Sequence, residues 1–164
     1  MLTPGSAAPE MVLQDTAGHP VRLSDHVGEH AVLLYFMRST SCPLCNRHVQ
    51  DLAADADRYA AAGVHVLIAV PEDRETAAAW KAKRGLTLTV LTATDGTPHE
   101  MVGLSRKVFG SMQQSGSVLI DTDGIVRHAH GSTLPTGSYD KKGITAAVAS
   151  LHARPLRTPE SKVE

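Results

Sequence analysis

Tyr35-Phe36-Met37-Arg38-Ser39-Thr40-Ser41-Cys42-Pro43-Leu44-Cys45 contains both cysteines of the 164-residue chain. They stand three apart, behind an apolar run over residues 31–37 that reads as a strand buried on both faces. From Cys45 onward, Val49, Leu52, Ala56 and Ala60 recur at helical spacing, and Gly63 supplies the stop. The stretch is thus a strand handing a Cys-x-x-Cys pair to the start of a helix. Pro43 supports this, because proline is favoured at the first helical position, where its missing N–H costs nothing.

Outward from this junction, strands and helices alternate. Two short apolar segments at 11–13 and 21–23 flank Asp15-Thr16-Ala17-Gly18-His19-Pro20 and predict an N-terminal hairpin. Residues 64–70 form a second buried strand closed by Pro71, and 73–84 a helix ending at Gly85. A third strand is expected over 86–91 and a short helix over 98–104, followed by an unassigned connection through 105–110. Asp123-Gly124 between apolar runs at 117–121 and 125–130 signals a late hairpin, and 143–152 a closing helix. The pattern predicts one α/β domain over 1–152, with a central mixed sheet flanked by helices. The remainder, 153–164, carries Pro155 and Pro159 among charges and is expected to be a poorly ordered tail. In such sheets the working site lies at the carboxyl ends of the strands, where Cys42 falls.

Composition narrows the function classes. An apolar fraction of 42%, a charged fraction of 20% and a net charge of −1 describe an ordinary globular protein without the basic surface that nucleic acid requires. The N-terminus lacks a basic start and an apolar signal core, and no run approaches the ~18 residues of a membrane span. A cytoplasmic location is expected, where a lone Cys-x-x-Cys reads as catalytic rather than structural.

The chemistry of the pair follows from its position. A thiolate is the nucleophile, and the free N–H groups and partial positive charge of a helix's first turn stabilise it. Cys42 at the helix start is the expected nucleophile. Cys45, one turn in and partly packed, is expected to keep the higher pKa and to resolve an oxidised Cys42. Cβ atoms three residues apart on a helix lie roughly 5–6 Å from each other. A disulfide needs about 3.5–4.5 Å, within reach of a modest adjustment. Arg38 reads either as a cation for the thiolate or peroxide oxygen, or as a solvated loop residue. Ser39 and Thr40 read as hydroxyl donors to the sulfur or as ordinary turn and capping groups. His48 shares a face with Cys45 and reads as a surface histidine in preference to a proton shuttle. Cys42, Cys45 and His48 fall short of the four ligands of a zinc site. His128 and His130 alternate on one strand face, and the nine histidines are scattered, so neither a metal nor another cofactor is expected. Trp80 and Tyr59 sit at core spacing.

Taken with Pro4-Gly5-Ser6-Ala7-Ala8-Pro9 and with Ser117-Val118-Leu119-Ile120-Asp121-Thr122-Asp123-Gly124, the active stretch resembles the alkyl hydroperoxide reductase/thiol-specific antioxidant family. This is the peroxiredoxin-like branch of the thioredoxin fold, and the resemblance runs from about Pro4 to His152. It implies a thiol peroxidase acting on a peroxide through Cys42 and Cys45, with Arg38 and Ser39 as helpers. It also implies reduction by a thioredoxin-type protein or a low-molecular-weight thiol, and pairing as a homodimer is common in that family. The family places a proline seven residues and a threonine or serine three residues before the reactive cysteine; here these are Tyr35 and Ser39. Its activating arginine falls on Ser115, leaving Arg38 or Arg106 to substitute. Thioredoxins carry a cis-proline before the late strand, where this chain has Gly116-Ser117. Two other functions use the same cysteines: thiol–disulfide exchange on a disulfide substrate, and a non-enzymatic redox sensor.

Overall fold

The computed structural model describes residues 1–107 and 112–152. Its elements are β1 (Val12–Asp15), β2 (Pro20–Arg22), β3 (Ala31–Phe36), α1 (Pro43–Ala54), α2 (Ala56–Ala61), β4 (Val64–Ala69), α3 (Arg74–Arg84), β5 (Thr89–Thr92), α4 (Pro98–Met101), β6 (Arg106–Lys107), β7 (Met112–Gln113), β8 (Ser115–Ile120), β9 (Val126–Ser132) and α5 (Lys141–His152). Seven strands form one sheet in the order β2-β1-β5-β4-β3-β8-β9. β3, β4 and β5 run parallel, and every other pairing is antiparallel. The mixed sheet and N-terminal hairpin agree with the sequence expectation.

The continuous apolar run of β3 has a direct cause: the strand is near the sheet's centre and buries all six residues. Alternation divides them between two cores. Leu33, Tyr35 and Met37 face one core, shared with Val49 and Leu52 of α1, Trp80 of α3 and Ile144 of α5. Val32, Leu34 and Phe36 face the other, with Met11 and Leu13 near the N-terminal hairpin and with Val102 and Leu104 after α4.

Capping chemistry sets most helix ends. The Asp73 carboxylate accepts the Thr76 N–H, and Gly85 closes α3 at φ 63°, a left-handed conformation that glycine adopts without steric cost. The single helix expected to run to Gly63 instead breaks at Asp55, whose ψ is 3°. Its carboxylate pairs with Arg58 at 2.9 Å and Lys141 at 3.6 Å. Because Ala56 and Ala60 continue the apolar period across the break, periodicity alone misses it. The two-residue β6 and β7 lie in and just after the unassigned connection, and are too short to show a period. Residues 108–111 of that region and the 153–164 tail lie outside the described residues.

Candidate active site

Beyond β3 the main chain turns through Arg38–Ser41 and enters α1 with Cys42 as its N-cap, at φ −75° and ψ 115°. The Cys45 N–H donates to Cys42 Sγ at 3.2 Å, so the sulfur occupies the place of a capping oxygen. Pro43 fills the first turn, as expected. Both cysteines are free thiols, with Cys42 slightly open to solvent and Cys45 fully enclosed. Burial and the hydrogen bond to Cys42 push the Cys45 thiol up to about 11, against the Arg38 main-chain N–H that draws it down.

Asn46 holds this turn in place. Its Nδ2 donates to the Thr40 and Cys42 carbonyls, each at 2.9 Å, while its Oδ1 accepts from Trp80 Nε1 at 2.8 Å. Thr40 bonds Glu72 Oε2 through its N–H (2.9 Å) and its hydroxyl (3.0 Å). The Ser39 and Ser41 hydroxyls pair at 3.0 Å. Of the two candidate donors to the sulfur, Thr40 thus commits its hydroxyl to the Glu72 anchor, whereas in the Ser39–Ser41 pair either oxygen can be the donor. Arg38 is half-buried, and among the described residues its guanidinium has no ion-pair partner.

Behind the thiols lies a network that spacing had concealed. Tyr35, fully buried, lies close enough to Cys45 for each to act on the other's ionisation. Its hydroxyl also meets His48 Nδ1 at 2.8 Å and Ser138 Oγ at 3.2 Å. Burial, reinforced by Cys45, pushes the phenol far above its ordinary value, so it stays protonated. His48 is half-buried rather than a free surface group, and burial lowers its pKa despite the Asp51 charge. Its ring stands 5.0 Å from that of Tyr139, whose hydroxyl donates to Asp51 Oδ2 at 2.8 Å. Lys141 pairs with the same carboxylate at 3.0 Å. Tyr35 could be read from the sequence only as the residue replacing a family proline; its link to His48 spans 13 residues and Ser138 lies 103 away.

Ser115 and Ser117 are buried in β8 with hydroxyls that find no hydrogen-bond partner among the described residues. Between them, a Cβ at Gly116 would collide with the His130 carbonyl of β9, which accounts for glycine there. Arg106 is exposed and close enough to His99 to act on it electrostatically. His99 in turn bonds the Met37 carbonyl through Nε2 at 2.6 Å. His128 and His130 stack at 6.4 Å, but His130 Nε2 is taken by the Gly137 carbonyl.

A central mixed sheet delivering a cysteine pair to a helix N-terminus defines a thioredoxin-fold redoxin. Residues 4–129 match the AhpC/TSA family, and the chain belongs to that family. It is 30% identical to peroxiredoxin Bcp of Escherichia coli K12 over 144 residues, covering 85% of this chain and 92% of that protein. The crystal structure of peroxidoxin BcpB from Mycobacterium tuberculosis superposes with a TM-score of 0.76 at 21% identity, covering 95% of this chain and all of that one. Peroxiredoxin Q of Xanthomonas campestris gives 0.70 at 21% identity, over 88% and 90%. Among the described residues no helix is long and apolar enough to cross a membrane.

Proposed function

We propose that Cys42 is the peroxide-reacting cysteine of this chain and Cys45 its resolving partner. The chain is an oxidoreductase of the thiol peroxidase class, as its peroxiredoxin relatives indicate. One observation carries the assignment of roles: Cys42 Sγ accepts a first-turn N–H, whereas Cys45 is sealed and its thiol is held at about 11.

In the first step the Cys42 thiolate attacks one peroxide oxygen, the O–O bond breaks, and the departing alkoxide or hydroxide leaves as alcohol or water after taking a proton. Cys42 becomes a sulfenic acid. The Cys45 sulfur then attacks the Cys42 sulfur, hydroxide departs as water, and the disulfide closes. An external dithiol of the thioredoxin type returns both sulfurs to thiols through a mixed disulfide. Arg38, four residues before Cys42 and without an ion-pair partner among the described residues, is assigned here as the cation that polarises the peroxide. Closure requires Cys45 to give up its proton, and the chain Cys45 Sγ, Tyr35 hydroxyl, His48 Nδ1 offers it a path to an imidazole that burial keeps neutral.

Peroxide-dependent oxidation of a supplied dithiol tests this. Wild type is expected to turn over, and Cys42→Ser to be inactive. Brisk reduction of a model disulfide without consumption of peroxide would instead make the pair a thiol–disulfide exchanger.

A further inference from the structure

At the opposite end of β3 from Cys42, three imidazoles converge. His26 follows a 3-10 turn (Leu23–Asp25), His30 immediately precedes β3, and His65 is the second residue of β4. Parallel pairing of Ala31 with Val64 and Val32 with His65 brings the two strand starts side by side. Val64 and Val66 face the core that holds Tyr35, so alternation turns His65 to the other face of the sheet. The 23–30 loop covers that face, and the His26 ring lines a small cavity there with Met11, Leu23 and Val32.

The three rings form a tight group. One ring nitrogen of each lies within 4.8 Å of those of the other two. His30 and His65 stack with centroids 3.5 Å apart, and the His26 and His30 centroids lie 4.7 Å apart. His26 Nδ1 meets His30 Nε2 at 2.6 Å. The loop carrying two of them is tied down by its main chain. The His30 and Glu29 N–H groups both donate to the His26 carbonyl, and the Gly28 N–H to the Thr122 carbonyl at 2.7 Å.

Neutral imidazole is the form that ligates metal. The Asp25 and Glu29 carboxylates act electrostatically on His26 and supply the negative potential that a bound cation would meet. Two imidazole nitrogens on one zinc ion, each about 2.0–2.1 Å from it, stand roughly 3.3 Å apart. The His26–His30 pair would therefore open by less than about 1 Å to admit one.

We propose that His26, His30 and His65 form a binding site for a late first-row divalent cation, Zn2+ foremost. Three imidazoles ligate it, its fourth position is open to solvent, and it braces the 23–30 loop against β4. Neutral imidazole donors suit zinc, copper and nickel over magnesium or calcium. The six residues of β3, about 20 Å at ~3.3 Å per residue, separate this site from the thiols.

Cysteines also bind zinc, so the test uses full-length, tag-free protein carrying Cys42→Ser and Cys45→Ser. Zn2+ is titrated by calorimetry, and Co2+ by its visible d–d bands. The expected result is one equivalent bound at micromolar affinity or tighter, with tetrahedral-type Co2+ bands. His65→Ala should weaken binding by at least about tenfold, since even partners outside the ligand shell commonly contribute that much. Its side chain is exposed, so the variant should fold, which circular dichroism checks. His130→Ala should leave affinity unchanged. No binding at about 100 µM Zn2+, unchanged affinity in His65→Ala, or loss of binding in His130→Ala would each overturn the proposal.

Discussion

Tyr35→Phe separates the two chemical steps of the proposed cycle. The substitution removes one buried hydroxyl while keeping the ring that packs against Leu33 and Met37 in their shared core. With Cys45 at about 11, only about one thiol in ten thousand is ionised at pH 7, so closure through free thiolate is slowed by that factor. A positioned acid–base path typically recovers 10²–10⁴-fold. Tyr35→Phe is therefore expected to slow disulfide closure by about 10²-fold, and to change Cys42 oxidation by less than about threefold. The lost bonds to His48 and Ser138 should cost about 1–3 kcal/mol of stability, less than the 5–15 kcal/mol of a typical domain. Trp80 is the chain's single tryptophan, and its Nε1 bonds Asn46, which bonds the Cys42 carbonyl. Its fluorescence in a stopped-flow mixer should therefore report both steps. The pH profile adds a second discriminator. In wild type, closure should fall on the acid side as His48 protonates, below the ordinary histidine range because burial holds it low. In Tyr35→Phe, closure should instead climb about tenfold per pH unit toward 11. Wild-type closure in the variant, or equal slowing of both steps, would refute the relay.

Arg38→Ala should reduce the second-order rate of Cys42 with hydrogen peroxide by about 10- to 150-fold, the equivalent of one charged hydrogen bond of ~1.5–3 kcal/mol. Arg106→Ala is the comparator, and a larger effect there would move the activating role to it. Asn46→Ala breaks three hydrogen bonds at once, two of them buried, and should destabilise the fold by about 2–4 kcal/mol in urea, with a slower peroxide step as the Cys42 turn loosens. Stability should also fall with acid. Burial holds His99 down at about 4, so between pH 6.5 and 4 the unfolded chain binds a proton that the folded chain refuses. Stability is then complete above about pH 6.5 and lower by about 2 kcal/mol at pH 5 from this group alone. His99→Gln, which keeps a donor toward the Met37 carbonyl, should flatten that slope in denaturant titrations.

The sequence exposed whatever rests on local chemistry. The buried β3, the helix stop at Gly85, and Cys42-Pro43 at a helix start all depend on residues close in the chain, whose patterns survive without tertiary information. The break at Asp55 was hidden because the alanine period runs on across it, while Asp55 pairs with Arg58 within the next helix. The working parts of the site lay deeper. Asn46 reads as an ordinary helix residue until Trp80, 34 positions on, is seen to bond it. Tyr35 reads as core, and only the packing of α1 and the segment near Ser138 reveals its hydroxyl beside Cys45 and His48. His65 lies 35 residues from His30, and strand register alone joins them. Position in the chain points to Cys42 as the proposed nucleophile; the groups proposed to move the Cys45 proton, and those that fix the Cys42 turn, are products of long-range packing.

The division of labour in which Cys42 meets the peroxide and Cys45 resolves it is open to one direct measurement. A single turnover of Cys45→Ser with one equivalent of hydrogen peroxide is quenched with a sulfenic-acid trap and read by peptide mass spectrometry. The expected result is a stoichiometric adduct on Cys42, formed far faster than free cysteine reacts with the same peroxide. Oxidation no faster than free cysteine, or prompt oxidation of Cys45 in the converse Cys42→Ser protein, would contradict it.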